Sequence, residues 1–409
     1  MNRYALLFIF ITALLDAIGF GIIMPVLPGL LMDVSGGDLS SSVRYGGLLM
    51  FCFAVTQFFF SPIIGNLSDH FGRRPVLLFS LFMMCINYLI MGIAGSLAVL
   101  FIGRIISGIG ASTMSTCNAY IADVTPEDQR AQNFGLMGAA FGMGFVIGPV
   151  IGGFLGEYGP RMPFIAAAVL SFANMLFGYL VLKESLQPEN RRRFDITRAN
   201  PLGTLAQMRH FPVVIGIIGV MFLYNMGHHV VPATWSFFTI EKFNWSPREI
   251  GYSLGFIGIC MVAVQGFLIR WVLPRTGLRF AGIIGMLFTI VAFIGYAAAN
   301  SPWMLYMVML PGALGALAGP AMQGIASSQV GASQQGELQG GLSSMMSLTS
   351  IISPILMTQT FGLFTSDQAP VYFPGAAFLL AGALTIGSLG LFIRVTRGLG
   401  AATAQQPRR

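Results

Sequence analysis

The stretch Gly65–Leu78, GNLSDHFGRRPVLL, packs Asp69, His70, Arg73 and Arg74 into six residues between two long apolar runs. Hydrocarbon excludes charge at that density, so the stretch reads as a short polar turn joining two apolar elements. The runs on either side decide what those elements are. Each holds roughly 20 mainly apolar residues, which is the length of a membrane-crossing helix and about twice that of a barrel strand.

On both sides of this turn, twelve such runs follow one another along the chain. They lie near residues 4–31, 43–65, 75–94, 97–121, 132–156, 161–183, 212–239, 248–272, 279–299, 302–326, 338–362 and 371–395. With 409 residues, 55% of them hydrophobic and 9% charged, the chain has too little polar surface to coat soluble domains. The expected fold is an all-α membrane protein. The first run carries Asp16, continues apolar to Leu31 and shows no small-residue cleavage site, so it reads as span 1 and not as a removed leader. Cys52, Cys85, Cys117 and Cys260 all fall within apolar runs, as small packing residues do.

Seventeen of the 22 basic residues fall on the N-terminus, the even-to-odd loops and the C-terminus, four fall on the other side, and Arg104 lies inside span 4. Retention of positive charge on the cytoplasmic face then predicts that both termini are cytoplasmic. The net charge of +7 is used up by topology and by contact with anionic lipid headgroups, which excludes nucleic acid as a partner.

The long polar stretch VLKESLQPENRRRFDITRANPLG lies near the chain midpoint. It predicts an N-terminal six-helix bundle over 1–183, a cytoplasmic linker over 184–211, a C-terminal bundle over 212–397 and a cytoplasmic tail over 398–409. Loop 4-5, VTPEDQRAQNFGL from Val124, and loop 10-11, VGASQQGELQGGL from Val330, share Val, Gln, Gly and Leu at the same offsets, 206 residues apart. Gln57 and Gln265 are 208 apart. A repeat displaced by half the chain is the plan of transporters that rock two pseudo-symmetric bundles about a midplane site.

Within that plan the opening stretch reads as a cytoplasmic latch. Gly65 and Gly72 permit close turns, Asp69 can pair with Arg73 or Arg74, and Asp123 at the end of span 4 can take a charge-assisted bond from the same arginines. The simpler reading is charge that stops helices and holds topology. Loop 8-9, LPRTGLR, is a worn copy of it. Gly135, Gly144, Gly148, Pro149, Gly152 and Gly153 line span 5, where small residues let helices touch along their backbones and Pro149 adds a kink, giving a gate or pivot.

Asp16 lies mid-span, where an ionised carboxylate costs several kcal/mol, and is the candidate proton carrier. Arg104 in span 4 is its candidate partner, pairing with the ionised acid and releasing it on protonation. His228 and His229 form another titratable pair in span 7, suited to protons or cargo, with aromatic-like packing as the alternative. Gln57, Asn87, Asn118, Asn225 and Gln265 are intramembrane amides able to hydrogen-bond a mixed polar and apolar ligand, or one another's helices. No metal-ligand cluster, Walker loop, HExxH or GxSxG pattern occurs, so neither a resident cofactor nor an enzyme is expected.

The opening stretch resembles the signature loop 2-3 of the major facilitator superfamily nearly position for position. Span 4, LFIGRIISGIGAS, resembles that superfamily's span 4 motif, with Ser107 where glutamine is usual. The span 5 glycines resemble the pattern of its drug/proton antiporter branch. LLDAIGFGIIMPVLP (Leu14–Pro28), GRRPVLLFSL, FGMGFVIGPVIGGFLGE, VPATW and PAMQGIASS are similar to bacterial tetracycline/proton antiporters. The resemblance covers essentially the whole chain. It implies the twelve-helix major facilitator fold and proton-driven efflux of an amphipathic drug across the bacterial inner membrane; a monomer is the expected working unit. The implied cargo is a tetracycline held as a chelate with a divalent cation. Family members commonly carry further acids in spans 3 and 9 and a histidine in span 8, where this chain aligns Asn87, Thr289 and Met261. The alternatives are a proton-coupled exporter of a siderophore or metabolite and, more remotely, a membrane-embedded enzyme.

Overall fold

The computed structural model describes residues 3–194, 212–331 and 334–397. Every regular element among them is helical. The first six spans comprise α1 (Arg3–Ser35), α2 (Leu39–Phe71), α3 (Arg73–Ile93), α4 (Leu97–Gly110) with α5 (Thr113–Val124), α6 (Glu127–Gly156) and α7 (Met162–Val181). A short 3-10 turn, Pro188–Asn190, follows. The remaining spans comprise α8 (Pro212–His228) with α9 (Val230–Phe243), α10 (Pro247–Ala263), α11 (Ile269–Ala298), α12 (Pro302–Leu314) with α13 (Ala318–Ser328), α14 (Gln335–Thr365) and α15 (Ala376–Thr396).

Among the described residues eleven helical runs are long and apolar enough to cross a membrane, and one of them, Pro247–Ala298, is 52 residues long. At 1.5 Å per residue that run would reach roughly 78 Å, far beyond a hydrocarbon core of about 30 Å. Gly277 interrupts it with φ 79° and ψ 159°. The run is therefore two spans, and the total is the expected twelve.

Turn chemistry explains the other boundaries. Asp38 caps α2 by accepting the Ser41 N–H at 3.1 Å. Gly72 ends α2 at φ 106°, a left-handed conformation that side chains resist. Its N–H closes on the Ser68 carbonyl at 3.2 Å.

Spans 4, 7, 8 and 10 are interrupted in mid-course. The breaks fall at Ala111–Ser112, at His229, at a π-helical turn over Val264–Leu268, and at a 3-10 turn over Gly315–Leu317. The 206-residue repeat offset carries Ala111 onto Leu317, so spans 4 and 10 break at the same register.

By contact, the described chain divides into two compact units. One gathers α1 to α7 with Thr239–Gly258; the other holds α8, α9 as far as Phe238, and the chain from Ile259 onward. In the first unit Phe8, Leu77, Leu81, Cys117 and Ile121 are buried together. In the second, Val214, Tyr224, Met286, Met322 and Phe392 form the core. Lipid tails are as apolar as these side chains, so close fit and internal hydrogen bonds hold such bundles more than water exclusion does. The predicted linker is described as far as residue 194, and the predicted tail 398–409 lies outside the described residues.

Candidate functional site

The charged turn of the opening stretch is a closed network within the first unit. Arg73 Nη1 donates to Asp69 Oδ1 across the Gly72 turn, and Arg73 Nε donates to Asp123 Oδ2 at 3.0 Å. Asp123 Oδ2 also accepts from Ser185 Oγ at 3.0 Å. Arg74 turns elsewhere: its Nη2 donates to the Tyr179 carbonyl at 2.8 Å and its guanidinium lies over the Tyr179 ring. Gly65 has open space around it.

Glu184 is the network member that sequence reading passed over. Its carboxylate accepts the N–H groups of Arg73 at 2.8 Å and Arg74 at 3.2 Å, the first residues of α3. It also takes the N–H groups of Ser185 and Leu186. A carboxylate there satisfies orphan donors and faces the positive end of the helix dipole. Gly72 is needed for this, because a Cβ at that position would strike the Glu184 carboxylate. The linker then folds back: Arg192 N donates to the Asp69 carbonyl at 3.0 Å, and the Arg192 carbonyl lies 3.0 Å from His70 Nδ1.

Asp16 in α1 and Arg104 in α4 form no ion pair. Tyr88 of α3 lies within electrostatic range of both. Its hydroxyl fills the space that a side chain at Gly19, one turn after Asp16, would occupy. An aromatic residue in an apolar run carries no signal of this placement, which is why sequence reading did not single it out.

The glycine row of α6 divides by what it touches. A Cβ at Gly144 or Gly148 would meet the backbone of α1, and one at Gly152 would meet Ile22. Gly153 faces α10 instead, where its Cβ would lie 2.5 Å from the Pro247 carbonyl and 3.1 Å from the Gly251 Cα. Pro149 lies against Gly21 and, through its carbonyl, against Gly251. Gly135 meets nothing.

The amides do not form one cluster. Gln57 Nε2 donates to the Ala111 carbonyl at 3.2 Å, holding the break in span 4. Asn87 is buried, its Oδ1 has no partner, and it lies near Gly103. Asn118 is half-buried on α5. In the second unit Asn225 bonds the Met221 carbonyl of its own helix at 2.7 Å, and Gln265 is exposed within the π-helical turn.

His228 stacks on Tyr224 with ring centroids 4.5 Å apart, and His229 Nε2 lies 3.5 Å from Ser350 Oγ. Tyr224 donates its hydroxyl to the Gly315 carbonyl at 3.0 Å, so the break in span 10 is also held by a side chain from another helix. That hydroxyl lies 3.3 Å from Thr289 Oγ1, which donates to its own helix at the Gly285 carbonyl. Among the described residues no group of three His, Cys, Asp or Glu side chains could hold a metal ion.

Twelve spans, with half-chain-related breaks and a charged hairpin after span 2, define a multi-pass membrane transporter of the two-bundle kind. The chain belongs to the Major Facilitator Superfamily, whose sequence profile matches residues 9–354. It is 39% identical over 380 residues to the tetracycline resistance protein, class C, of Escherichia coli, covering 93% of this chain and 95% of that protein. It is 34% identical to the class B protein of Escherichia coli, covering 88% of each. Among solved structures, the nucleoside transporter NupG shares the fold at a TM-score of 0.78 and 14% identity, over 97% of this chain and 99% of that one.

Proposed function

We propose that this protein exports an amphipathic drug, a tetracycline in the first instance, in exchange for protons by alternating access across the bacterial inner membrane. The observation that carries the proton half is Asp16, a carboxylate near the middle of α1 with no cationic partner in ion-pair range among the described residues. In hydrocarbon an unpaired carboxylate is far cheaper protonated than ionised, so the side chain is suited to carry a proton across and to give it up when water or cargo reaches it. Arg104 stabilises the ionised form when the helices move. The whole-length likeness to tetracycline resistance proteins supports the cargo class.

The Arg73 network acts as the latch of one conformation, and the α6 glycine face is the surface on which helices slide. The drug enters as its chelate with a divalent cation, so the metal is cargo and no resident cofactor takes part. Both termini face the cytoplasm, and the working unit is a monomer.

A second reading, export of a different small molecule, draws on Asn87, Thr289 and Met261, which leave fewer charges to grip a metal chelate. Inverted vesicles separate the two. Uptake of tetracycline with magnesium, run beside cationic and neutral dyes, is expected to need an inside-acid gradient and to stop in Asp16→Asn. Gradient-independent uptake overturns the proton coupling; uptake of the dyes alone overturns the cargo.

A further inference from the structure

We propose that the hairpin between α10 and the post-Gly277 part of α11 carries a binding surface for an anionic phospholipid headgroup. Gly72 and Gly277 are 205 residues apart and share one unusual backbone shape, φ 106° and ψ 164° at the first, φ 79° and ψ 159° at the second. They are the same hairpin in the two halves of the repeat.

Their electrostatics are opposite. At Gly72 the protein supplies carboxylates of its own, Asp69 and Asp123 for Arg73 and Glu184 for the N–H groups that start α3, while the Arg74 guanidinium is held by the Tyr179 carbonyl and ring. At Gly277 a Cβ would meet no atom within 4 Å, so among the described residues no carboxylate stands where Glu184 stands in the first hairpin. Arg270, Arg275 and Arg279 surround this turn in sequence, and among the described residues none lies within ion-pair range of a carboxylate. Arg279 Nε is buried without an acceptor.

The surface around these arginines has interfacial character. Phe267, Trp271 and Arg275 recur at four-residue intervals and so share a face, with Arg270 beside them. Phe267 is 78% exposed, Trp271 58% and Phe280 52%. The Arg275 guanidinium lies 4.5 Å over the Trp271 ring and donates through Nη1 to the Trp271 carbonyl at 2.9 Å, and the residue is exposed. Exposed rings beside exposed cations match the headgroup layer, where rings sit at the acyl boundary and arginines take phosphate oxygens. The counter-anions that the first half supplies from its own side chains come, in the second half, from the bilayer.

The test uses the full-length protein in detergent, with retained lipid counted by native mass spectrometry during titration with phosphatidylglycerol, phosphatidylcholine or inorganic phosphate. Phosphatidylglycerol is expected to bind selectively, about fivefold more weakly for each arginine changed to glutamine at 270, 275 or 279. The triple lysine variant preserves topology and charge; it should keep the preference for phosphatidylglycerol while losing part of the affinity, and it serves if the glutamine variants fail to insert. Equal retention of phosphatidylglycerol and phosphatidylcholine, unchanged binding in the triple glutamine variant, or displacement by inorganic phosphate at concentrations matching the lipid would each overturn the proposal.

Discussion

The Arg73 guanidinium reaches Asp123, 50 positions further along the chain, at 3.0 Å while the same group binds Asp69 across the Gly72 turn. One planar fork thus ties the ends of α2, α3 and α5. Lysine keeps the charge, but its donors all leave one nitrogen and cannot reproduce the planar fork whose separate nitrogens, Nε and Nη1, reach Asp123 and Asp69. Arg73→Lys is therefore expected to lower transport about ten- to a hundredfold, since losing one charge-assisted bond of this kind is worth about 1.5–3 kcal/mol. Asp123→Asn should do less, because Ser185 and Arg73 can still bond the amide oxygen. Initial uptake rates in inverted vesicles give the comparison, and equal rates for Arg73→Lys and the native protein would count against the latch.

The Gly153–Gly251 seam admits no added carbon, because the Cβ of Gly251 would strike the Pro149 carbonyl and that of Gly153 the Pro247 carbonyl. Overpacking of this sort typically costs about 1–3 kcal/mol. Gly251→Ala and Gly153→Ala should lower the thermal midpoint in detergent by several degrees. Gly135→Ala, with open space around it, should raise it slightly, since alanine favours a helix interior by up to about 1 kcal/mol.

Gln57 and Gln265 look equivalent by sequence offset but do different work. Removing the Gln57 amide leaves the Ala111 carbonyl without its donor at a break in span 4, a loss of about 1–3 kcal/mol. Gln265 is exposed in the π-helical turn, and its replacement by alanine should stay within about 0.5 kcal/mol. Chemical or thermal unfolding of Gln57→Ala and Gln265→Ala in parallel checks this asymmetry.

Asp38, between α1 and α2, has its carboxyl pushed down to about 2 from 3.8, first by the Ser40 hydroxyl and then by Ser41. A depressed folded-state value stabilises the protein above the unfolded value and loses that contribution as pH falls through the folded one. The capping bond should thus contribute constant stability above about pH 4 and fade between about 4 and about 2. At this exposed site the effect is about 1 kcal/mol or less. Thermal midpoints of the native protein and Asp38→Ala should converge across that acid window and differ by a constant amount above it.

The twelve spans and the charged turn were legible because both rest on composition: apolar length and clustered charge are local properties. The break at Gly277 had a readable signal in the LPRTGLR hairpin, whose glycine matches Gly72. Glu184 was not legible as a cap, since its partners Arg73 and Arg74 lie about 110 positions earlier and nothing in KES distinguishes it from an ordinary linker acid. Tyr88 and Tyr224 were hidden for a different reason. In an apolar run an aromatic residue reads as packing, and only the fold reveals that one hydroxyl lies beside Gly19 and the other bonds the Gly315 carbonyl. The interruptions of spans 4 and 10 escape hydropathy altogether, because a broken helix and a straight one have the same mean.

The return of the chain from Glu184 to Arg192 onto the first hairpin sets where this polypeptide can be divided. A cut or a fused module placed before Arg192 would detach the strap that grips Asp69 and His70, whereas one placed beyond residue 194 leaves that strap whole. Two-piece versions of the protein, reporters inserted at its middle and protease sites engineered between its lobes all inherit the same boundary.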